Sequence, residues 1–314
     1  MSAEAYYSYS RYLQETFGEK TYKVTVASGL TCPTRDGKLG PVLGRKGCAF
    51  CDIRGSSSYF GKQGRGLEIG SQIRKRIPGV GARYGAKKFL AYFQSYTNTY
   101  SDVAYLREIY EAALAEPGIS GLCVGTRPDC LPEPVLDLLQ EIASRAYVSL
   151  ELGVQSFEDA TLDWLQRGHS GQCSIDALQA LRERAPSVHT CVHLIFGSPT
   201  DSPRAAREAA LILNGLGVRG VKLHQLMVLE HTELASRYRE APFRTLSLQE
   251  YSEVVCDFLA HLSPSIYVER LFAKATHREE CIAPLWSRDH WEPHNVLHDA
   301  IAQQGIRQGG ALAH

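Results

Sequence analysis

Six short β-rich runs recur along the chain with helix-length stretches between them, and this rhythm restricts the fold more than any other feature. The runs are TYKVTVA (21–27), KKFLAYF (87–93), ISGLCVG (119–125), YVSLELG (147–153), VHTCVHLI (188–195) and RGVKLHQL (219–226). The segments between them read as amphipathic helices. SDVAYLREIYEAALAEPG has Asp102 near its start and Pro117-Gly118 as a stop, and LPEPVLDLLQEIASR carries its prolines in the first turn. Parallel strands need crossovers of this length, whereas antiparallel hairpins do not, so the alternation predicts an α/β fold with a parallel sheet. Six such units make a partial (β/α)6 TIM-type barrel, open on one side. A doubly wound open sheet is the alternative, because periodicity does not fix closure.

The expected layout is an N-terminal helix over 1–20, a core over 21–240 and a C-terminal α/β extension or lid over 241–314. In the extension, 247–262 reads as a helix and 265–272 as a strand; the tail reads as a helix and then a frayed end. A chain of 314 residues is ample for a sizeable core. Lys plus Arg equals Asp plus Glu at 34 each, so no global basic field points to nucleic acid. The stretch 71–88 is nevertheless basic and free of acidic residues, which suits a local phosphate-contacting patch. No run of eighteen apolar residues predicts a membrane span, and the start lacks the features of a signal peptide, so a cytoplasmic location is expected. In that compartment nine cysteines are expected to stay reduced, and a clustered subset suits metal binding or catalysis.

Three of them form such a subset. Cys32 follows the first predicted strand, and Cys48 and Cys51 lie in the same loop as CAFC. Sites in this topology gather at the C-terminal ends of the strands, which is where the loop sits. Structural zinc sites take four ligands, and three local thiolates leave one position free. That count fits an iron–sulfur cluster with one open iron, since cluster irons are usually each held by a thiolate. A zinc site and scattered buried thiols are the competing readings.

TCPTRDGKLGPVLGRKGCAFCD, AYFQSYTNTY, GTRPDCLP, LELGVQSF and RGHS occur in this order at the strand ends. Together they resemble the YhcC-like family of radical S-adenosylmethionine (SAM) enzymes, which is related to the catalytic subunit of elongator. The likeness runs from about residue 20 to 295. The cysteine spacing, Cx15CxxC, departs from the superfamily's usual CxxxCxxC but not from this subfamily. The resemblance implies a barrel of the radical SAM type and a [4Fe-4S] cluster on Cys32, Cys48 and Cys51, with SAM on the open iron. It implies reductive cleavage of SAM to a 5′-deoxyadenosyl radical, which takes hydrogen from the substrate, and an electron donor of the flavodoxin or ferredoxin type.

Further residues are placed by the strand ends. Phe50 is expected to shield the cluster, with Asp52 beside it, and Arg45 and Lys46 favour thiolate over thiol. Gln94, Thr97, Asn98 and Thr99 end strand two, which in radical SAM proteins commonly meets the SAM amino group; turn chemistry also accounts for Asn and Thr. Arg127, before Pro128, is held out of helical geometry and is expected over the top face, ready to fork onto a carboxylate or phosphate, with Asp129 as a helix cap. Cys130 reads as a buried thiol. Glu151 lies in an apolar run and needs a partner; by the resemblance, Glu151 and Gln155 face SAM or the substrate, and a pair with an interior cation is the alternative. Arg167 and His169 suit a helix C-terminus. Gly197 is expected to allow close approach of the backbone to SAM. The usual carboxylate of the relatives' loop is altered here, with Asp201 as the substitute. Lys222 and His224 share a face and are substrate-side candidates, whereas His193 and His231 read as ordinary polar residues.

Three functions follow. A radical SAM enzyme acting on the wobble-uridine side chain of tRNA, through the patch at 71–88, is first. The relatives' acetyltransferase domain has no room in this chain, so acetyl transfer is not expected. A radical SAM enzyme acting on a small metabolite or porphyrin is second, and a non-catalytic iron–sulfur or zinc protein is third.

Overall fold

The computed structural model describes residues 4–38, 47–52 and 68–312, and all six expected strands form. They are β1 (Thr21–Val26), β2 (Lys88–Phe93), β3 (Ile119–Thr126), β4 (Tyr147–Gln155), β5 (His189–Phe196) and β6 (Gly220–Gln225). Their apolar residues, such as Leu90, Leu122, Leu150, Val192 and Val221, are fully buried, as expected for strands covered on both faces. A short β7 (Val228–Leu229) follows, and β8 (Tyr267–Arg270) from the C-terminal segment joins the sheet beside β6. β9 (Cys281–Ala283) pairs with β7 outside it.

The sheet order is β1-β2-β3-β4-β5-β6-β8, with every neighbour parallel. A doubly wound sheet would reverse its order at a switch point, and this one does not. Seven flat strands would hold β1 and β8 about 29 Å apart at the usual strand spacing. Yet Lys23 on β1 donates to Glu269 on β8 at 2.7 Å. The sheet is therefore curled into a half-barrel whose first and last strands meet through side chains.

Helices cover its outer face. α1 (Tyr9–Phe17) leads; α2 (Ile69–Tyr84), α3 (Val103–Leu114), α4 (Glu133–Ala143), α5 (Asp159–Trp164), α6 (Gly171–Arg184) and α7 (Ala205–Asn214) occupy the crossovers. α8 (Glu233–Glu240), α9 (Leu248–His261) and α10 (Trp291–Gln303) complete the chain. Asp102 caps α3 by accepting from Tyr105 N–H at 2.8 Å. Ser247 and Glu250 form a reciprocal capping box at α9. α1 closes the N-terminal end of the barrel: Tyr12 stacks on Tyr267 at 4.2 Å and its hydroxyl meets His189 Nδ1 at 2.7 Å. Both partners begin or nearly begin their strands, so the opposite, C-terminal end is the one left for a site.

The expected frayed tail is a correction. Gln308 is buried, accepts from Tyr7 N–H at 2.8 Å and donates to the carbonyls of Ser263 and Ile266 at 2.7 Å each. One amide thus ties the chain's two ends to the edge of β8, where a polar side chain can replace missing sheet partners. Gln308→Ala removes three hydrogen bonds and is expected to lower stability by about 1–3 kcal/mol. Denaturant unfolding checks the size, and faster amide exchange over residues 5–8 and 305–312 checks the place.

Candidate active site

The cavity at the C-terminal ends of the strands has a volume of about 350 Å³. Gln94, Arg127, Gln155 and Leu226, each at or just past a strand end, contribute to its wall together with all three loop cysteines. Cys32 and Cys48 are buried and Cys51 is partly so. None of the nine cysteines forms a disulfide.

Guanidinium groups surround the thiols. Arg167 donates to Cys48 Sγ at 3.0 Å and Arg127 to the same sulfur at 3.5 Å. Arg35 donates to Cys51 Sγ at 3.3 Å and to the Cys51 and Asp52 carbonyls. The Thr34 hydroxyl lies 3.0 Å from Cys32 Sγ. Burial pushes the Cys48 thiol up, but Arg167 and Arg127 outweigh it and hold the thiol below its ordinary value. Phe50 lies under the Arg167 guanidinium at 5.8 Å and lines the cavity. Arg45 and Lys46 lie outside the described residues.

The donor set suits a multinuclear cluster better than one ion. The three sulfurs do not all lie within 4.8 Å of one another. A single zinc ion would draw its thiolates to about 3.8 Å apart, whereas a cluster places each thiolate on a different iron. Room for a further polar ligand is marked by two groups: Thr97 Oγ1 and Arg167 Nε are buried on the cavity wall without a hydrogen-bond partner among the described residues.

Beneath the thiols lies a buried charge cluster. Glu151 is fully buried; it accepts from Lys23 at 2.5 Å, Lys222 at 2.9 Å and Tyr92 at 2.6 Å, and meets His193 Nε2 at 2.7 Å. Lys222 also pairs with Glu269 at 2.7 Å. Burial pushes Glu151 up, but Lys222 and Lys23 prevail and hold it well below the usual carboxylate range. Burial pulls His224 well below its ordinary value, with Arg270 adding to it, and pulls His193 down with Lys222. Both imidazoles are therefore neutral at pH 7.

Several expected roles change on this geometry. Glu151 spends its oxygens on interior partners, the alternative weighed for it. Asn98 lies outside this cavity's wall: its amide donates to the carbonyls of Phe93, Ser95 and Gly125, and its oxygen accepts from Ser28 at 2.6 Å, so it builds the turn after β2. Thr99 likewise bonds Thr126 and the Cys130 carbonyl. Arg127 lines the cavity as expected and forks onto its own neighbour Asp129 at 2.8 and 2.9 Å, and Asp129 is thereby withdrawn from capping. Gly197, at φ +100°, would place a Cβ 3.1 Å from Leu246, away from the cavity; its left-handed turn shapes the loop. Asp201 accepts from the Gly197 and Ser198 N–H groups and from Thr161, and burial raises its pKa to about 6. Cys130 is a buried thiol outside the cavity, pushed up by burial.

Of the expected site residues, Phe50, Gln94, Thr97, Arg127, Glu151, Gln155, Lys222 and His224 line the cavity. Gln155 sits at φ +72°, costly for a residue with a side chain, opposite a register shift between Gly153 and Gln155. A Cβ on Gly153 would stand 2.8 Å from Gln155 Nε2 and 3.5 Å from Arg167 Nη2. Sequence reasoning missed Lys23, Arg35, Tyr92, Glu269 and Arg270 and set His193 aside. The signal for Lys23 was the single charge in its strand, and for Glu269 an adjacent pair of opposite charges ending a strand; nothing local marked Arg35.

The neutral histidines give a pH prediction. A histidine whose pKa is lowered by folding contributes stability that is complete above its unfolded value and falls as pH drops below about 6.5. The protein is expected to lose stability between pH 7 and 5, and His224→Gln to flatten that slope, as read by urea unfolding at each pH. Gly153→Ala is expected to displace Gln155 and Arg167 and to lower iron retention after reconstitution, measured by iron content per chain.

Comparison with known proteins agrees with this geometry. Residues 44–213 match the radical SAM superfamily and residues 218–303 match the radical SAM C-terminal domain. Protein YhcC of Escherichia coli (strain K12) is 35% identical over 301 residues, covering 96% of this chain and 93% of that one. A tRNA uridine(34) acetyltransferase of Dehalococcoides mccartyi is 27% identical over 158 residues, 48% of this chain and 32% of that one. The solved structure of Methanocaldococcus infernus Elp3 superposes with a TM-score of 0.67 at 18% identity, over 92% of this chain and 64% of that one, and shows the fold. Such enzymes use SAM and an iron–sulfur cluster, and among the described residues no helix is long and apolar enough to cross a membrane. The chain is a radical SAM enzyme and belongs with the YhcC-like proteins of that superfamily.

Proposed function

We propose that this radical SAM enzyme carries a [4Fe-4S] cluster on Cys32, Cys48 and Cys51 and modifies the side chain of the wobble uridine of tRNA. The observation that carries the cluster assignment is the convergence of three thiols on one cavity wall with Arg35, Arg127 and Arg167 donating to their sulfurs. Hydrogen bonds from cations to cluster sulfurs stabilise the reduced, more negative state. When bound, the cluster and SAM supply the 5′-deoxyadenosyl radical that abstracts hydrogen.

The chain's own residues hold and shield that chemistry. Thr97 Oγ1 and Arg167 Nε, both without partners among the described residues, suit the polar end of SAM, and Gln155, strained into the cavity, suits its hydroxyls. Phe50 covers the cysteine loop and excludes water. Lys222 and His224 line the same cavity and would face the substrate. His224, neutral, offers a donor or an acceptor and adds no charge.

The tRNA assignment rests on the partial likeness to uridine(34) acetyltransferases and on α2. Arg74 and Lys88 on and beside α2 are engaged by Glu116 and Glu19, while the Arg83 guanidinium lies over Tyr84, which stacks on the exposed Tyr22 at 4.0 Å. A stacked tyrosine pair flanked by arginine is a surface suited to nucleic acid. Electrons would come from a flavodoxin- or ferredoxin-type donor.

The test is anaerobic. The protein is reconstituted with iron and sulfide, reduced and given SAM and total tRNA, and 5′-deoxyadenosine is quantified. Turnover is expected to rise with tRNA and to vanish in Cys51→Ala. Turnover indifferent to tRNA would redirect the assignment to a small molecule, and none from a full cluster would sink the enzymatic mechanism proposed.

A further inference from the structure

The buried charge cluster leaves one cation over. Lys23 and Lys222 are matched by Glu151 and Glu269 through four contacts of 2.5–2.9 Å. Arg270 lines the same cavity, yet its side chain makes no hydrogen bond or ion pair among the described residues, and its Nε is buried without a partner there. Burial pulls its pKa down, so the site holds this charge at a cost.

The backbone places Arg270 there deliberately. Alternation along β8 would send Glu269 and Arg270 to opposite faces of the sheet. The register with β6 instead jumps from Val221–Val268 to Lys222–Arg270, leaving Glu269 unpaired as a bulge. Bulges of this kind re-aim side chains beside active sites. Here it turns two successive residues inward: Glu269 pairs with the lysines, and Arg270 faces the cavity with no ion pair among the described residues.

Arg270 also belongs to a different part of the cavity from the thiols. The carboxylates whose charges act on it are Glu269 and Glu151, both members of the buried cluster beneath the thiols. The guanidinium groups on the cysteine sulfurs are those of Arg35, Arg127 and Arg167. Lys274, exposed on the same wall, is likewise without an ion pair among the described residues.

Resting on the reading of this cavity as the radical SAM site, we infer that Arg270 anchors an anionic oxygen group of the substrate, a carboxylate or a phosphate, in a two-point fork. A guanidinium matches either group bidentately, and the neutral His193 and His224 beside it would not compete for the anion. Arg270 would fix which end of the substrate enters and would take no part in hydrogen transfer.

The experiment uses the reconstituted, reduced enzyme with SAM, and reads the increment in 5′-deoxyadenosine that total tRNA produces. In Arg270→Gln that increment is expected to fall about ten- to a hundredfold, the effect of losing charge-assisted hydrogen bonds, and Arg270→Lys is expected to restore part of it. Iron content and the cluster's electron paramagnetic resonance signal show that each variant is assembled. Competition separates the sources in the wild type: excess acetate lowers the increment if the anchor takes a carboxylate, and excess inorganic phosphate lowers it if the anchor takes a phosphate. An unchanged increment in Arg270→Gln overturns the inference. If tRNA produces no increment in the wild type, the tRNA reading fails separately, and Arg270 is judged by phenylglyoxal labelling of the SAM-loaded protein, read by peptide mass spectrometry. Protection of Arg270 by acetate or inorganic phosphate supports the anchor. Labelling indifferent to both rejects it.

Discussion

A carboxylate with no solvent exposure must find compensating charge, and Glu151 draws it from across the barrel. Lys23 comes from β1, Tyr92 from β2, His193 from β5 and Lys222 from β6; Glu269 of β8 closes the circuit through both lysines. These contacts can be made together only if the sheet curls until its edge strands meet. Removing one member of such a set leaves its partners charged and unpaired, which costs about 3–5 kcal/mol. The curvature of the half-barrel and the position of its cavity therefore depend on the same few side chains.

Two electrical environments share that cavity. At the cysteine loop, cations converge on sulfur and lower the Cys48 thiol pKa. Deeper, paired lysines and glutamates cancel, and the histidines are neutral. The first environment suits groups that carry negative charge, as thiolates and a reduced cluster do. The second holds polar groups in fixed orientation with little net field, apart from Arg270. α1 covers the opposite end of the barrel with a tyrosine cluster.

Much of this was legible in the chain. The six strands and most helices followed from hydrophobic period and stop signals, which are local. The cysteine triplet and its loop were legible because thiols at close spacing have few other uses. Asn98 and Gly197 were misplaced for a common reason: strand-end residues are favoured both for contacting ligands and for building turns, and only the location of hydrogen-bond partners separates the two. For Asn98 those partners are three backbone carbonyls from β2, its own turn and β3. Arg127 was expected to be free because its partner, Asp129, had been given to a helix cap.

The sequence by itself determined the β–α alternation, the parallel sheet, the cysteine loop and the family whose motifs it carries, since each is written in residue type and spacing. The tertiary structure alone decided that the strand at 267–270 completes the sheet, that Gln308 ties down the tail, and that Glu151 meets cations from strands far apart in the chain. It also decided that a bulge turns both Glu269 and Arg270 inward. Such outcomes depend on register and long-range pairing, and a one-residue shift of register reverses which side chains face the interior. No local pattern encodes that choice; it is made when buried charges find their partners across the curled sheet.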